Sequence, residues 1–174
     1  MNDTDTVTTA REEVNNDILT SVTRFLYREA DVLDRWQLHE WLEYFDPAAH
    51  YSVPATDLPE GYPETDLYLV HDDRFLLEQR VNSLLTRAAH AEYPHSRTRR
   101  FVGNVQAWHC DDGNIDVSAN FAVYRVRNGA LDTYVGQYRY TLIPDERLGY
   151  RFAARKAVLD LDALRPHGKV SIIL

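Results

Sequence analysis

In Ile115-Asp116-Val117-Ser118-Ala119-Asn120-Phe121-Ala122-Val123-Tyr124 an apolar side chain stands at every odd position, and the even positions are mostly polar or small. That period of two belongs to a strand with one buried face. Reading outward, Asp111-Asp112-Gly113-Asn114 precedes the strand and Asn128-Gly129 follows it. Asn-Gly is a strong hairpin signal because both residues tolerate positive φ. Strands are therefore predicted at 97–110, 114–127, 131–143 and 149–161, the last two joined across Asp145–Gly149.

Upstream the period changes. Val14, Ile18, Leu19, Val22, Phe25, Leu26 and Ala30 recur at helical spacing, and Thr9-x-x-Glu12 fits a capping box, so one long helix is expected over 10–33. A second box, Asp34-x-x-Gln37, opens a short helix through Leu38, Trp41, Leu42 and Phe45, which Asp46-Pro47 stops. Short strands are expected at 50–54 and 66–71. Asp72-Asp73 then places carboxylates at the start of a third helix, with Phe75, Leu76, Leu77, Val81, Leu84 and Leu85 as its apolar face. Helices followed by a meander predict an α+β fold, a curved antiparallel sheet with helices on one face. Residues 1–10 read as a flexible tail and 11–174 as a single α+β domain.

The chain has 174 residues, a net charge of −8 and a single cysteine, Cys110. One cysteine excludes an internal disulfide framework and a four-thiolate metal site. The acidic balance argues against nucleic acid as a partner. The charge is also divided: residues 1–78 hold 18 acids and 5 bases, and the remainder 9 acids and 14 bases. The polar start, without an apolar run, reads as no secretory leader, and no apolar stretch reaches membrane-spanning length, so no membrane partner and a cytoplasmic location are expected.

Motifs for chemistry are sparse. His39-Glu40-x-x-Glu43 lacks the second histidine of a zinc helix, and Pro94 interrupts His90-x-Glu92-x-x-His95. His109-Cys110 is one pair where a Rieske site needs two Cys and two His. No phosphate-binding glycine loop or nucleophile elbow occurs. Asp46, His50, Tyr51 and His71 could meet at the mouth of a helix-lined sheet and act as acid and base, which suggests as an alternative a free-standing dehydratase or isomerase. In the other reading Asp46 turns the chain, Tyr51 packs in the core and the histidines are exposed. Ser96-Arg97-Thr98-Arg99-Arg100 is the densest polar cluster. In a strand Arg97 and Arg99 share one face and Arg100 takes the other. An inward arginine needs a carboxylate, with Asp31, Asp34 and Asp46 as candidates. Arg97, Arg99, Arg100 and Asp34 are accordingly the expected structural or interface residues.

Phe25-Leu26-Tyr27-Arg28-Glu29-Ala30-Asp31-Val32-Leu33-Asp34, Trp41-Leu42, Tyr51-Ser52-Val53-Pro54 and Asp72-Asp73 together resemble the small (beta) subunits of aromatic-ring-hydroxylating (Rieske non-haem iron) dioxygenases. The run from Glu92 through Ser96-Arg97-Thr98-Arg99-Arg100-Phe101-Val102-Gly103-Asn104-Val105 is the most specific part of the likeness. Ala119-Asn120-Phe121, Tyr134-Val135-Gly136, Ala154-Arg155-Lys156 and Ser171-Ile172-Ile173-Leu174 extend it to the end of the chain. The resemblance implies a cone-shaped fold of the cystatin-like, nuclear-transport-factor-2-like type. It also implies a non-catalytic scaffold that self-associates as a trimer and binds a dioxygenase alpha subunit, typically three of each. The Rieske iron–sulfur cluster and mononuclear iron would reside in that alpha subunit, with no catalytic, cofactor or metal residues in this chain. The assembled oxidoreductase would convert an aromatic compound to a cis-diol.

Overall fold

The β-rich half is laid down by the turns that the sequence supplies. The computed structural model describes residues 11–86, 92, 94–161 and 170–174; the expected tail at 1–10, Thr9 and His90 lie outside them. Strands β3 (Arg97–His109), β4 (Ile115–Arg127), β5 (Ala130–Asp145) and β6 (Gly149–Leu159) form the meander. Asn128 and Gly129 both adopt positive φ, 50° and 78°, as a tight hairpin requires. Before them come α1 (Asn16–Asp34), α2 (Leu38–Leu42), β1 (Phe45–Pro54), β2 (Tyr68–Asp73) and α3 (Arg74–Leu85). The sheet order is β2-β1-β6-β5-β4-β3, curved and unclosed. Four of the five strand pairings are antiparallel, but β1 pairs with β6 in parallel, because the meander returns to β1 running in its direction.

Local boundaries differ from expectation in instructive ways. The first helix begins at Asn16, whose preceding residue Asn15 accepts a hydrogen bond from the Ile18 amide at 3.0 Å. Glu12 to Val14 instead run beside the edge strand: His109 N–H donates to the Glu12 carbonyl and Val14 N–H to that of Ala107. An exposed edge amide is a stronger competitor for these groups than a solvated first turn. Asp34 does not cap α2, which starts after Gln37 without a side-chain cap; its carboxylate is taken by β3. β1 starts at Phe45 and runs through Pro47, so that proline sits in a strand rather than a loop.

The third helix does begin after Asp72-Asp73, with Asp73 accepting from the Leu76 amide at 2.8 Å. Its apolar face is narrower than expected. Leu77 and Val81 are buried and Leu84 and Leu85 pack against the core, but Phe75 and Leu76 are exposed. At 100° per residue, positions 77, 81 and 84 share a stripe that 75 and 76 cannot join.

The core lies between α1 and the inner side of the sheet. Val22, Phe25, Leu26, Val32 and Leu33 from the helix meet Phe121, Val123, Tyr138, Tyr140, Leu142 and Phe152 from the strands. Aromatic rings dominate: Phe121 stacks on Tyr138 at 4.1 Å and Phe25 sits 5.2 Å from Phe152. Gly136 has a packing reason, since a Cβ there would stand 1.9 Å from the Val158 carbonyl oxygen on the paired strand.

Candidate functional site

The inner side of the sheet is where a ligand cavity would form, and among the described residues large side chains pack into it. Arg155 on β6 is 1% exposed, and its Nε donates to Glu29 of α1 at 2.5 Å. Glu29 also accepts from Trp41 Nε1 at 2.9 Å and from the Tyr140 hydroxyl at 3.5 Å. The guanidinium lies over Tyr138 at 4.7 Å, with Trp41, Tyr51 and Tyr140 also within cation–π range. Burial alone would lower the Arg155 pKa, but the Glu29 carboxylate and the surrounding phenols outweigh it and raise it above the ordinary value. Burial likewise pushes the Tyr51, Tyr138 and Tyr140 hydroxyls up. The result is a fixed ion pair inside an aromatic box.

Sequence reading missed this pair for a definite reason. Strict alternation from the inward Phe152 puts Arg155 on the outer face. A register shift between Thr141 and Leu142, opposite residues 152–154, inserts one residue and turns Arg155 inward. Counting back from the buried Leu159 and Ala157 gives the correct face. Glu29 carried its own signal, an acid on the stripe of Val22, Phe25, Leu26 and Leu33.

A second ion pair joins α1 to β3. Asp34 accepts from Arg100 Nη1 at 2.5 Å, the Arg100 amide at 2.9 Å and Thr98 Oγ at 2.8 Å. The Asp34 carboxylate therefore satisfies a backbone donor on an edge strand as well as a charge. Of the expected residues, Asp34 and Arg100 meet inside the molecule, while Arg97 and Arg99 point to the opposite face. A third cluster gathers at Glu92, 1% exposed, which holds Arg125 Nη2 at 2.6 Å, Ser96 Oγ at 2.7 Å and Ser171 Oγ at 2.6 Å.

The alternative acid–base set does not assemble. His50 and His71 stack on each other at 5.8 Å and are exposed. Tyr51 points inward, and Asp46 accepts from the Ala48 amide as a local turn. Beside Leu33, Trp36 and Ile173 a void of about 10 Å³ remains, room for one water at most. No cluster of three or more His, Cys, Asp or Glu is placed to hold a metal among the described residues. Cys110 is a poor nucleophile, since burial and the nearby Asp116 carboxylate raise its pKa.

The outer face is different. Pairing sets Arg99 beside Tyr124, Phe101 beside Ala122, Leu131 beside Val126 and Val135 beside Ala122. Phe101 is 63% exposed and Leu131 60%, with Tyr124 and Val135 partly open. Apolar and aromatic side chains rimmed by arginine match the composition of a protein interface. Further along the same face Gln137, Arg139 and Lys156 line a shallow depression of about 500 Å³. There Glu60 closes over Arg139 with a bond of 2.7 Å to Nη1.

Residues 28–166 match the family described as ring hydroxylating beta subunit. The chain belongs to that family. It is similar to the small oxygenase component of the p-cumate 2,3-dioxygenase system of Pseudomonas putida, 44% identical over 155 residues, covering 88% of this chain and 85% of that protein. Among solved structures, a chain of naphthalene 1,2-dioxygenase superposes with a TM-score of 0.81 at 21% identity, covering 92% of this chain and 88% of that one. An NTF2-like protein with a cystatin-like fold from Novosphingobium aromaticivorans gives 0.57 at 17% identity, over 83% and 82%. The α+β, cystatin-like expectation holds, and as a ring-hydroxylating beta subunit the chain is part of an oxidoreductase rather than a free-standing dehydratase. No helix among the described residues is long and apolar enough to cross a membrane.

Proposed function

We propose that this beta subunit is a non-catalytic scaffold which self-associates as a trimer through the outer face of β3, β4 and β5 and carries dioxygenase alpha subunits. The carrying observation is the contrast between a filled inner side and an exposed Phe101, Tyr124 and Leu131 beside Arg97 and Arg99. A scaffold needs an adhesive surface and no cavity. The Rieske cluster and the mononuclear iron reside in the alpha subunit, where they supply the electrons and the oxygen chemistry of cis-dihydroxylation. The donor set suits that division, because among the described residues the buried carboxylates Glu29, Asp34 and Glu92 are engaged by arginine. The assembly works in the cytoplasm on an aromatic compound during its catabolism. The name of the P. putida relative makes p-cumate the first substrate to try.

Co-expression with an alpha subunit tests this. The two chains are expected to purify together, and Phe101→Asp with Leu131→Asp is expected to shift the lone chain from trimer to monomer in sedimentation. A variant that stays trimeric refutes the assigned face. Stoichiometric iron in the lone chain refutes the scaffold reading.

A further inference from the structure

A trimer imposes a condition that a dimer does not. Two copies about a twofold axis meet through the same patch, whereas three about a threefold axis meet head to tail, each offering two different surfaces. The outer face of β3, β4 and β5 is therefore half of an interface. Its outward positions carry the exposed Arg97, Arg99, Phe101 and Leu131 and no carboxylate. The matching half must be apolar and acidic.

The loop joining β1 to β2, residues 55–67, has that chemistry. Its Leu58, Tyr62 and Leu67 are 48%, 72% and 85% exposed. Large apolar side chains gathered on one short loop mark a contact surface. The loop also holds four acids and no base. Glu60 is bound to Arg139 and Asp66 to the Tyr62 amide, which leaves Asp57 and Glu64 exposed. The uneven charge of the chain, acidic up to residue 78 and basic beyond it, thus has two opposed expressions at the surface.

The position of the loop suits a ring. Pro59 and Glu60 border a shallow groove with Val135, Gly136 and Gln137 of β5, and Val135 lies in one row with Phe101 through Ala122. The loop therefore stands beside the apolar patch. In a ring of three each subunit fills a third of a turn, so its two contact surfaces adjoin along the axis; surfaces facing opposite ways build an open filament.

We propose that the 55–67 loop of one copy packs on the outer face of β3, β4 and β5 of the next, with Tyr62 and Leu67 on its apolar patch and Asp57 and Glu64 toward Arg97 and Arg99. This rests on the scaffold reading and supplies the missing half of its contact. Tyr62→Asp with Leu67→Asp changes only exposed side chains, so the variant is expected to keep its native circular dichroism and to sediment as a monomer. Asp57→Lys with Glu64→Lys is expected to loosen the trimer. Adding Arg97→Glu and Arg99→Glu to that same chain is expected to restore it, because every contact then joins opposite charges again. If the wild type is trimeric only with alpha subunits bound, the same variants are read by mass in the co-purified complex. A Tyr62/Leu67 variant that stays trimeric while Phe101→Asp with Leu131→Asp dissociates overturns this proposal and leaves the scaffold face standing. A charge reversal that the second pair does not repair also overturns it. A wild type that is trimeric neither alone nor in the complex overturns both readings.

Discussion

Glu29→Gln isolates the buried ion pair with the smallest change of shape. Glutamine can still accept from Trp41, which lies 2.9 Å from the present carboxylate. It leaves the Arg155 guanidinium, 0% exposed at its side chain, without a counter-charge. Removing one partner of such a pair costs about 3–5 kcal/mol. Domains of this kind are stable by about 5–15 kcal/mol, so about a fifth or more of the stability is at stake. With a urea slope of about 2 kcal/mol per M, the unfolding midpoint is expected to fall by about 2 M. Arg155→Met alone strands Glu29 and is expected to cost a similar amount. The double variant Glu29→Gln/Arg155→Met strands no charge and is expected to lose far less than the two singles summed, a coupling of about 2 kcal/mol or more. Equilibrium urea unfolding followed by circular dichroism reads all four proteins. Singles that each cost under about 1 kcal/mol, or a double that costs the full sum, would refute the idea that the pair is electrostatically closed.

Three further outcomes follow from the geometry. Gly136→Ala drives a Cβ into the Val158 carbonyl, and forcing β5 from β6 is expected to cost about 1–3 kcal/mol or more, read as a lower thermal midpoint. Tyr134 is pushed up to about 12 by burial and the Asp132 charge; because its folded value lies above the unfolded 10.0, its share of stability is intact below pH 10 and is lost as the pH rises through the folded value. Phenolate absorbance should therefore show Tyr134, with buried Tyr51, Tyr138 and Tyr140, ionising together with unfolding and after the exposed tyrosines. Glu60 is held below its usual 4.5 by its bond to Arg139, so the stability gap between the wild type and Glu60→Gln should be present at neutral pH and close as the pH falls through the lowered value, a comparison made by urea unfolding across the acid range.

The meander was legible because Ile115 to Val123 alternate without interruption and Asn128-Gly129 can adopt little but a tight turn. Asp34 shows where local reading stops. Its spacing to Gln37 forms a capping box on paper, but the Arg100 side chain and amide, 66 residues away, offer two charge-assisted partners instead of a solvated helix start. The same holds for Glu12, whose carbonyl went to His109. The inward direction of Arg155 is not legible from local alternation, since a one-residue shift in a neighbouring register decides which way it points. The outer-face patch was half visible: Arg97 and Arg99 were placed on a shared face, but Phe101, Tyr124 and Leu131 became one surface only once three strands were in register.

Placing β1 beside β6 has a consequence for how the chain is made. During synthesis β1 and β2 emerge early, yet β1 has only β2 to pair with until Gly149–Leu159 has left the ribosome. β5 waits for the same strand. A β1–β2 hairpin and a three-stranded β3–β4–β5 meander therefore coexist with open edges facing solution, and the sheet becomes continuous in one late step that closes a loop of about a hundred residues. Such long-range closure is slow, and unpaired edges in the interval invite wrong partners. Yield in a heterologous host should then depend on conditions that shorten that interval more than on the stability of the finished fold.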